Sequence, residues 1–126
     1  MATEKRDYPR VHFDLEEGFI GDFRLPSEEQ LTALIMNISG GGAGLAVVTR
    51  FVEKLGIGDT LVLKKIVGAV NLEFLSDIQA QVQWIKNIDS SGYVGAGCIF
   101  IDLPRKTLEQ LLKFIESERK FRGQYD

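Results

Sequence analysis

Gly40-Gly41-Gly42-Ala43-Gly44 stands between two dense apolar runs, Leu31 to Ile38 before it and Leu45 to Thr49 directly after it. The run behind the cluster is short and rich in β-branched residues, so the glycines join two strands and do not open a helix. A hairpin or a bulged crossover satisfies that pattern equally. The same punctuation recurs along the chain: 13 glycines against 3 prolines fall between short apolar runs rather than inside long periodic ones. Strands and turns are what such spacing favours.

Val11 to Glu16 alternates apolar and polar residues as a half-buried strand does, and Phe19 and Phe23 extend that strand past Gly18 and Gly21. Pro26-Ser27-Glu28-Glu29 reads as a turn before the second strand, Leu31 to Ile38. Leu55 to Asp59 is a further turn, and Thr60 to Val67 a further strand. Residues 71–88 read as a long, mostly extended segment. Within it Ile78, Ala80, Val82, Trp84 and Lys86 share one face, with Gln79, Gln81 and Gln83 on the other. Asp89-Ser90-Ser91-Gly92 signals a turn into Tyr93 to Ile101, whose Gly95 and Gly97 mark close backbone approach. The result is a mainly β chain of five to six antiparallel strands.

Only the end of the sequence is periodic at helical spacing, through Leu108, Leu111, Leu112 and Ile115. Two starts fit: behind Asp102 with Pro104 in the first turn, or at the capping-box pattern Thr107-Leu108-Glu109-Gln110. No internal repeat or linker divides the 126 residues, which suits one β-rich domain closed by a helix, with a small barrel as the economical way to remove sheet edges.

Composition narrows the function classes. Fifteen Lys and Arg against 18 Asp and Glu give a net charge of -3, the wrong sign for coating duplex nucleic acid. The first ten residues lack an apolar leader core, no run reaches the 18 or so apolar residues of a membrane span, and Cys98 is the only cysteine. A cytoplasmic protein without membrane insertion is the expectation, with Cys98 as a buried thiol.

Little in the sequence suits an enzyme. His12 is the only histidine, so a multi-histidine metal site is excluded and a serine relay would have to be built around this one residue in a strand pattern, while the strand context of Cys98 makes it an inert core thiol rather than the nucleophile of a dyad with His12. Glu16-Glu17 and Glu28-Glu29 sit at turns as solvated charge. The glycine cluster lacks the Lys-Ser/Thr of a phosphate loop and the helix of a dinucleotide fold. Catalytic and metal-ligating residues are therefore expected to be absent, as is a cofactor.

Two polar features remain. Asn37 and Ser39, two residues apart on one side of a strand, offer donors and acceptors that can read a base edge or hold a phosphate oxygen. Arg6 and Arg10 lie four apart around Pro9, which excludes an interior helix; arginine grips phosphate or the O6/N7 edge of guanine bidentately and stacks on bases.

Arg6-x-x-x-Arg10 followed about thirty residues later by Asn37-x-Ser39-x-x-Gly42 resembles the two-part signature of PilZ domains. Gln83-Trp84-Ile85, the Gly95-x-Gly97-x-x-Phe100-x-Asp102-Leu103 strand end and the closing helix are similar to the family pattern too, so the resemblance spans nearly the whole chain. It implies a bacterial receptor module with a six-stranded antiparallel β-barrel and a C-terminal helix, binding the second messenger cyclic di-GMP. On this reading residues 1–10 form a flexible ligand-binding arm, 11–103 the barrel and 104–122 the helix.

The resemblance implies that Arg6 and Arg10 clamp phosphates and guanine Hoogsteen edges, that Asn37 and Ser39 bind guanine or phosphate, and that Gly42 lets the turn approach closely. Lys5 and Gly41 are accessory. Trp84 is read as core or barrel-surface packing rather than a base-stacking platform. Ligand binding folds the arm over cyclic di-GMP and presents a changed surface to a downstream protein effector.

Two rivals keep the fold. One is a protein-binding adaptor with little or no nucleotide binding, against which the intact motif pair argues. The other is a nucleic-acid-binding barrel: residues 104–122 carry six Lys/Arg and three Glu, but acids and bases alternate there as on a solvated helix face. No nucleic-acid partner is expected. Phe114 and Phe121 leave homodimerisation open.

Overall fold

The computed structural model describes residues 8–68, 70–88, 90 and 92–124. Among these, seven strands are followed by one α-helix: β1 (Arg10–His12), β2 (Ile20–Arg24), β3 (Gln30–Ser39), β4 (Gly42–Val48), β5 (Thr60–Val67), β6 (Ile78–Asn87), β7 (Tyr93–Ile101) and α1 (Arg105–Phe121). All pairings are antiparallel, in the order β1-β3-β2-β5-β6-β7-β4, and β4 pairs back onto β3. Strands β2 to β7 thus form a closed six-stranded barrel, the architecture expected from the motif resemblance, with β1 as an extra strand outside the ring.

Strand β3 is the spine. Its first half, Gln30 to Leu34, pairs with β2, while Asn37 to Ser39 pairs with β1 along the same edge. Inward residues of alternating strands fill the barrel, among them Phe23, Ile35, Ile38, Leu45, Leu61, Leu63 and Val82, each at most 2% exposed. Leu111 and Ile115 of α1, both 0% exposed, cover one end, and burial of two such side chains is worth about 1.5–3 kcal/mol each. Helix α1 lies against β1, β3 and the 3-10 turn Val70–Leu72.

Four local expectations change. The first strand does not run through Phe19 and Phe23: Asp14 starts a 3-10 turn, Leu15–Glu17, whose Glu17 side chain returns to the Asp14 N–H, and β2 begins afresh at Ile20. Residues 71–77 are not extended, because Leu72 and Leu75 are buried in a compact turn, and β6 starts only at Ile78.

Trp84 does not share the face of Ile78, Ala80 and Val82. The register slips between Val82, opposite Cys98, and Trp84, opposite Gly97, and this bulge at Gln83 turns the indole to the outside of the barrel. Finally, Pro104 precedes the first helical turn as its N-cap, with an extended ψ of 144°, and α1 runs over 105–121 rather than 104–122.

Candidate functional site

Val11 and Ile38 are opposite one another and both 0% exposed, so they point into the barrel. Alternation then sends the side chains of Arg10, His12 and Asn37 to the outer face. There Arg10 Nη1 donates to Asn37 Oδ1 at 2.6 Å, joining residues 27 positions apart. Partial burial holds the Arg10 guanidinium below its ordinary value, with Cys98 opposing, while the residue as a whole remains exposed.

The rest of the site comes from β3, β4, β6 and β7, with register shifts beside Asn37 and Trp84. Asn37 lies over Gly44 so closely that a Cβ there would stand 2.6 Å from its Nδ2. Trp84 lies over Gly97, where a Cβ would meet the indole Nε1 at 2.1 Å. Arg10, Asn37, Gly44, Gln83, Trp84 and Gly97 line an outward-facing pocket of about 370 Å³, within the range of small-molecule sites. Lys86 Nζ stands 5.3 Å from the Trp84 ring centroid, adding a second cation near the wall.

A hollow of about 480 Å³ at Asp22, Arg24, Glu28, Gln30, Lys64 and Lys65 is larger, but its charges are largely committed to one another. Gln30 Nε2 donates to Asp22 at 2.6 Å, Arg24 pairs with Glu28 at 3.8 Å, and Lys64 pairs with Asp77. The Arg10 pocket combines an aromatic wall with a guanidinium that donates to a neutral amide, so it is the stronger candidate.

The sequence-predicted residues divide into three groups. Arg10 and Asn37 meet at the pocket. Ser39, only 2% exposed, is turned into the glycine turn: the Gly41 N–H donates to its Oγ at 3.1 Å, and the hydroxyl donates to the Gly42 carbonyl at 3.5 Å. At Gly42 a Cβ would stand 2.0 Å from the Cys98 carbonyl oxygen, so this glycine lets β4 approach β7. Gly41 lies beside the Tyr8 ring. Lys5 and Arg6 lie outside the described residues.

Gly44, Gln83, Trp84 and Gly97 were not among the predicted site residues. Their legible signal was the pairing of one tryptophan with alternate glycines in the following strand, Gly95 and Gly97. His12 stands on the outer face, while Cys98 faces the core with its Sγ 3.6 Å from the Ala43 carbonyl oxygen. Burial pushes that thiol up to about 11. Among the described residues no cluster of three or more His, Cys, Asp or Glu could hold a metal ion, and no helix is long and apolar enough to cross a membrane.

The family model described as PilZ domain matches residues 4–117. Comparison with curated protein sequences gives no match. Among solved structures, the chain is similar to the PilZ domain of YcgR from Escherichia coli, solved with c-di-GMP: TM-score 0.72, 21% identity, covering 96% of this chain and 97% of that one. It is also similar to MrkH from K. pneumonia in complex with c-di-GMP, at TM-score 0.67 and 24% identity over 94% of this chain and 56% of that one. The Bacillus subtilis inhibitor of motility MotI/DgrA aligns at TM-score 0.67 and 19% identity over 98% of this chain. The chain spans about half the length of MotI, with 55% covered, as it does of MrkH.

Proposed function

This chain belongs to the PilZ domain family, and from that premise we propose that it is a receptor for cyclic di-GMP, held on the outer face of the barrel between the Arg6-x-x-x-Arg10 arm and the Asn37-x-Ser39-x-x-Gly42 turn. The observation that carries the reading is the Arg10 to Asn37 hydrogen bond at the rim of the Trp84 pocket. Two of the similar structures, the YcgR PilZ domain and MrkH, hold c-di-GMP, which supports the choice of ligand.

The chemistry follows from the groups present. A planar guanidinium matches both a phosphate and the O6/N7 edge of guanine bidentately, and Arg10 is already oriented at the pocket by Asn37. Asn37 supplies an amide that can accept from Arg10 and donate to a base edge at once. Ser39 acts by fixing the turn from which Asn37 is presented, and Arg6 supplies a second guanidinium to the dianion.

Recognition rather than turnover is the output. His12, exposed on β1, and Cys98, buried in the barrel core, are the one nucleophile and base pairing the sequence offered, and they differ in access to solvent. The bound dinucleotide orders the arm across β1, and the changed surface regulates a downstream protein partner in the cytoplasm.

Isothermal titration of the full chain with cyclic di-GMP tests the reading. Binding at micromolar concentration or tighter is expected, weakened about tenfold or more by Arg6→Ala, Arg10→Ala or Asn37→Ala. A wild-type chain that gives no binding at about 100 µM ligand overturns it.

A further inference from the structure

Strand β1 is three residues long, lies outside the closed ring and, among the described residues, pairs with no strand but β3, with buried Val11 and the contact with α1 as its other anchors. The Phe13 N–H donates to the Met36 carbonyl at 2.9 Å, which points the backbone polar groups of His12 the other way, off the edge of the sheet. Those groups are met by one side chain from beyond the helix. Gln124 Oε1 accepts from the His12 N–H at 2.8 Å, and Gln124 Nε2 donates to the His12 carbonyl at 3.0 Å. The primary amide thus supplies the donor and acceptor that a residue on a neighbouring strand would have supplied.

Gln124 is itself aimed. The helix ends in a left-handed Gly123 with φ 69°; the Gly123 N–H donates to the Lys120 carbonyl at 3.2 Å and the Gln124 N–H to the Arg119 carbonyl at 2.7 Å. This is the paired hydrogen-bond pattern of a Schellman cap, which reverses the chain toward β1. Arg119 Nε donates to the Gln124 carbonyl at 2.8 Å and fixes the reversal. Next to it, Arg122 donates to both carboxylate oxygens of Glu17, at 2.7 and 2.8 Å, and its guanidinium stands 4.8 Å from the Phe13 ring centroid. Residues 12–17 are therefore gripped from one helix end, two positions along the chain from Arg10.

We infer that Gln124 is a positioning residue for Arg10: by clasping His12 it keeps β1 docked on β3 and so holds the guanidinium at the pocket beside Asn37. The inference rests on the receptor reading. It gives the helix end an effect on affinity that is transmitted through β1 and Arg10, and it makes the Schellman turn at Gly123 part of that support.

A double-mutant cycle on the full chain tests it, with cyclic di-GMP as the probe in calorimetry and amide hydrogen exchange at His12 as a second readout. Gln124→Ala is expected to speed exchange of the His12 amide and to weaken binding about five- to tenfold, with the thermal midpoint little changed. In an Arg10→Ala background Gln124→Ala is expected to cause no further loss, because its effect passes through Arg10. An unchanged His12 exchange rate, unchanged affinity, or an equal loss in both backgrounds overturns the positioning role while leaving the receptor reading intact. A wild-type chain that binds no cyclic di-GMP overturns the receptor reading first, and the positioning role with it.

Discussion

The indole of Trp84 occupies the space in which a side chain on Gly97 would begin: a Cβ there would stand 2.1 Å from Nε1 and 2.2 Å from Cε2. The two residues face each other across β6 and β7 at the point where the register slips. Gly97→Ala must therefore lift the ring off the strand. Trp84 is the only tryptophan, so its emission reports the change alone. A red-shifted spectrum and weaker cyclic di-GMP binding are expected, with a stability loss of about 1 kcal/mol because the ring can swing toward solvent. An unshifted spectrum would contradict the packing.

Neighbouring glycines of the β3–β4 turn should respond very differently to the same substitution. Gly42→Ala places a methyl 2.0 Å from the Cys98 carbonyl oxygen, a backbone atom held in the β4–β7 ladder, whereas at Gly41 the closest contact is 3.4 Å, to the Tyr8 ring. Urea unfolding is expected to show a loss of about 3 kcal/mol or failure to fold for Gly42→Ala, and less than about 1 kcal/mol for Gly41→Ala. Equal losses would sink the idea that Gly42 serves the strand packing.

Acid should selectively weaken the contact between the helix end and residues 12–17. Hydrogen bonds from Arg122 hold the Glu17 carboxyl down at about 2, against an ordinary 4.5. The folded state thus binds this proton less tightly than the unfolded one. Its contribution is complete above about pH 4.5 and fades as pH falls toward 2. Partial exposure screens the pair, which limits the contribution to about 1 kcal/mol. Wild type should exceed Glu17→Gln by that amount in urea unfolding at pH 7, with the gap closing by pH 2; a gap constant across pH would refute the assignment.

Thiol chemistry offers a check on the core. Burial pushes Cys98 up to about 11, so almost no thiolate exists at neutral pH. Iodoacetamide at pH 7.5 should leave the native chain unmodified by mass spectrometry and label it within minutes in denaturant. Rapid labelling of the native chain would place Cys98 elsewhere than against the Ala43 carbonyl.

Much of the barrel was legible because alternation and glycine punctuation both reflect the pleat of a half-buried strand, as at Gln79 to Val82. Alternation failed where a bulge inserts one residue, and it failed at the position that matters most. Ile78, Ala80 and Val82 point inward as their spacing says, while Gln83 breaks the phase and carries Trp84 to the pocket. A bulge is set by pairing with distant residues, here Gly97 and Cys98, and leaves no mark in the local pattern.

Asp14 to Glu17 failed for a different reason. The Asp-x-x-Glu capping pattern was present in the sequence, but it competed with the alternation of Val11 to Glu16 and prevailed in the fold. Within the site, the meeting of Arg10 and Asn37 follows from motif order, whereas the contribution of Gly44 and Gly97 required the register of four strands.

Because β1 lies outside the closed ring, it can leave β3 without opening a single barrel seam. On the receptor reading, affinity is then a product of two quantities: how well the pocket fits its ligand, and what fraction of molecules has β1 in place. A chain with β1 docked about one tenth of the time would bind about ten times more weakly with every pocket contact unchanged. On that proposed reading, substitutions at residues 12–17 or 119–124 are expected to shift the ligand concentration at which the chain responds, while those at Arg10, Asn37 or Trp84 change the pocket itself.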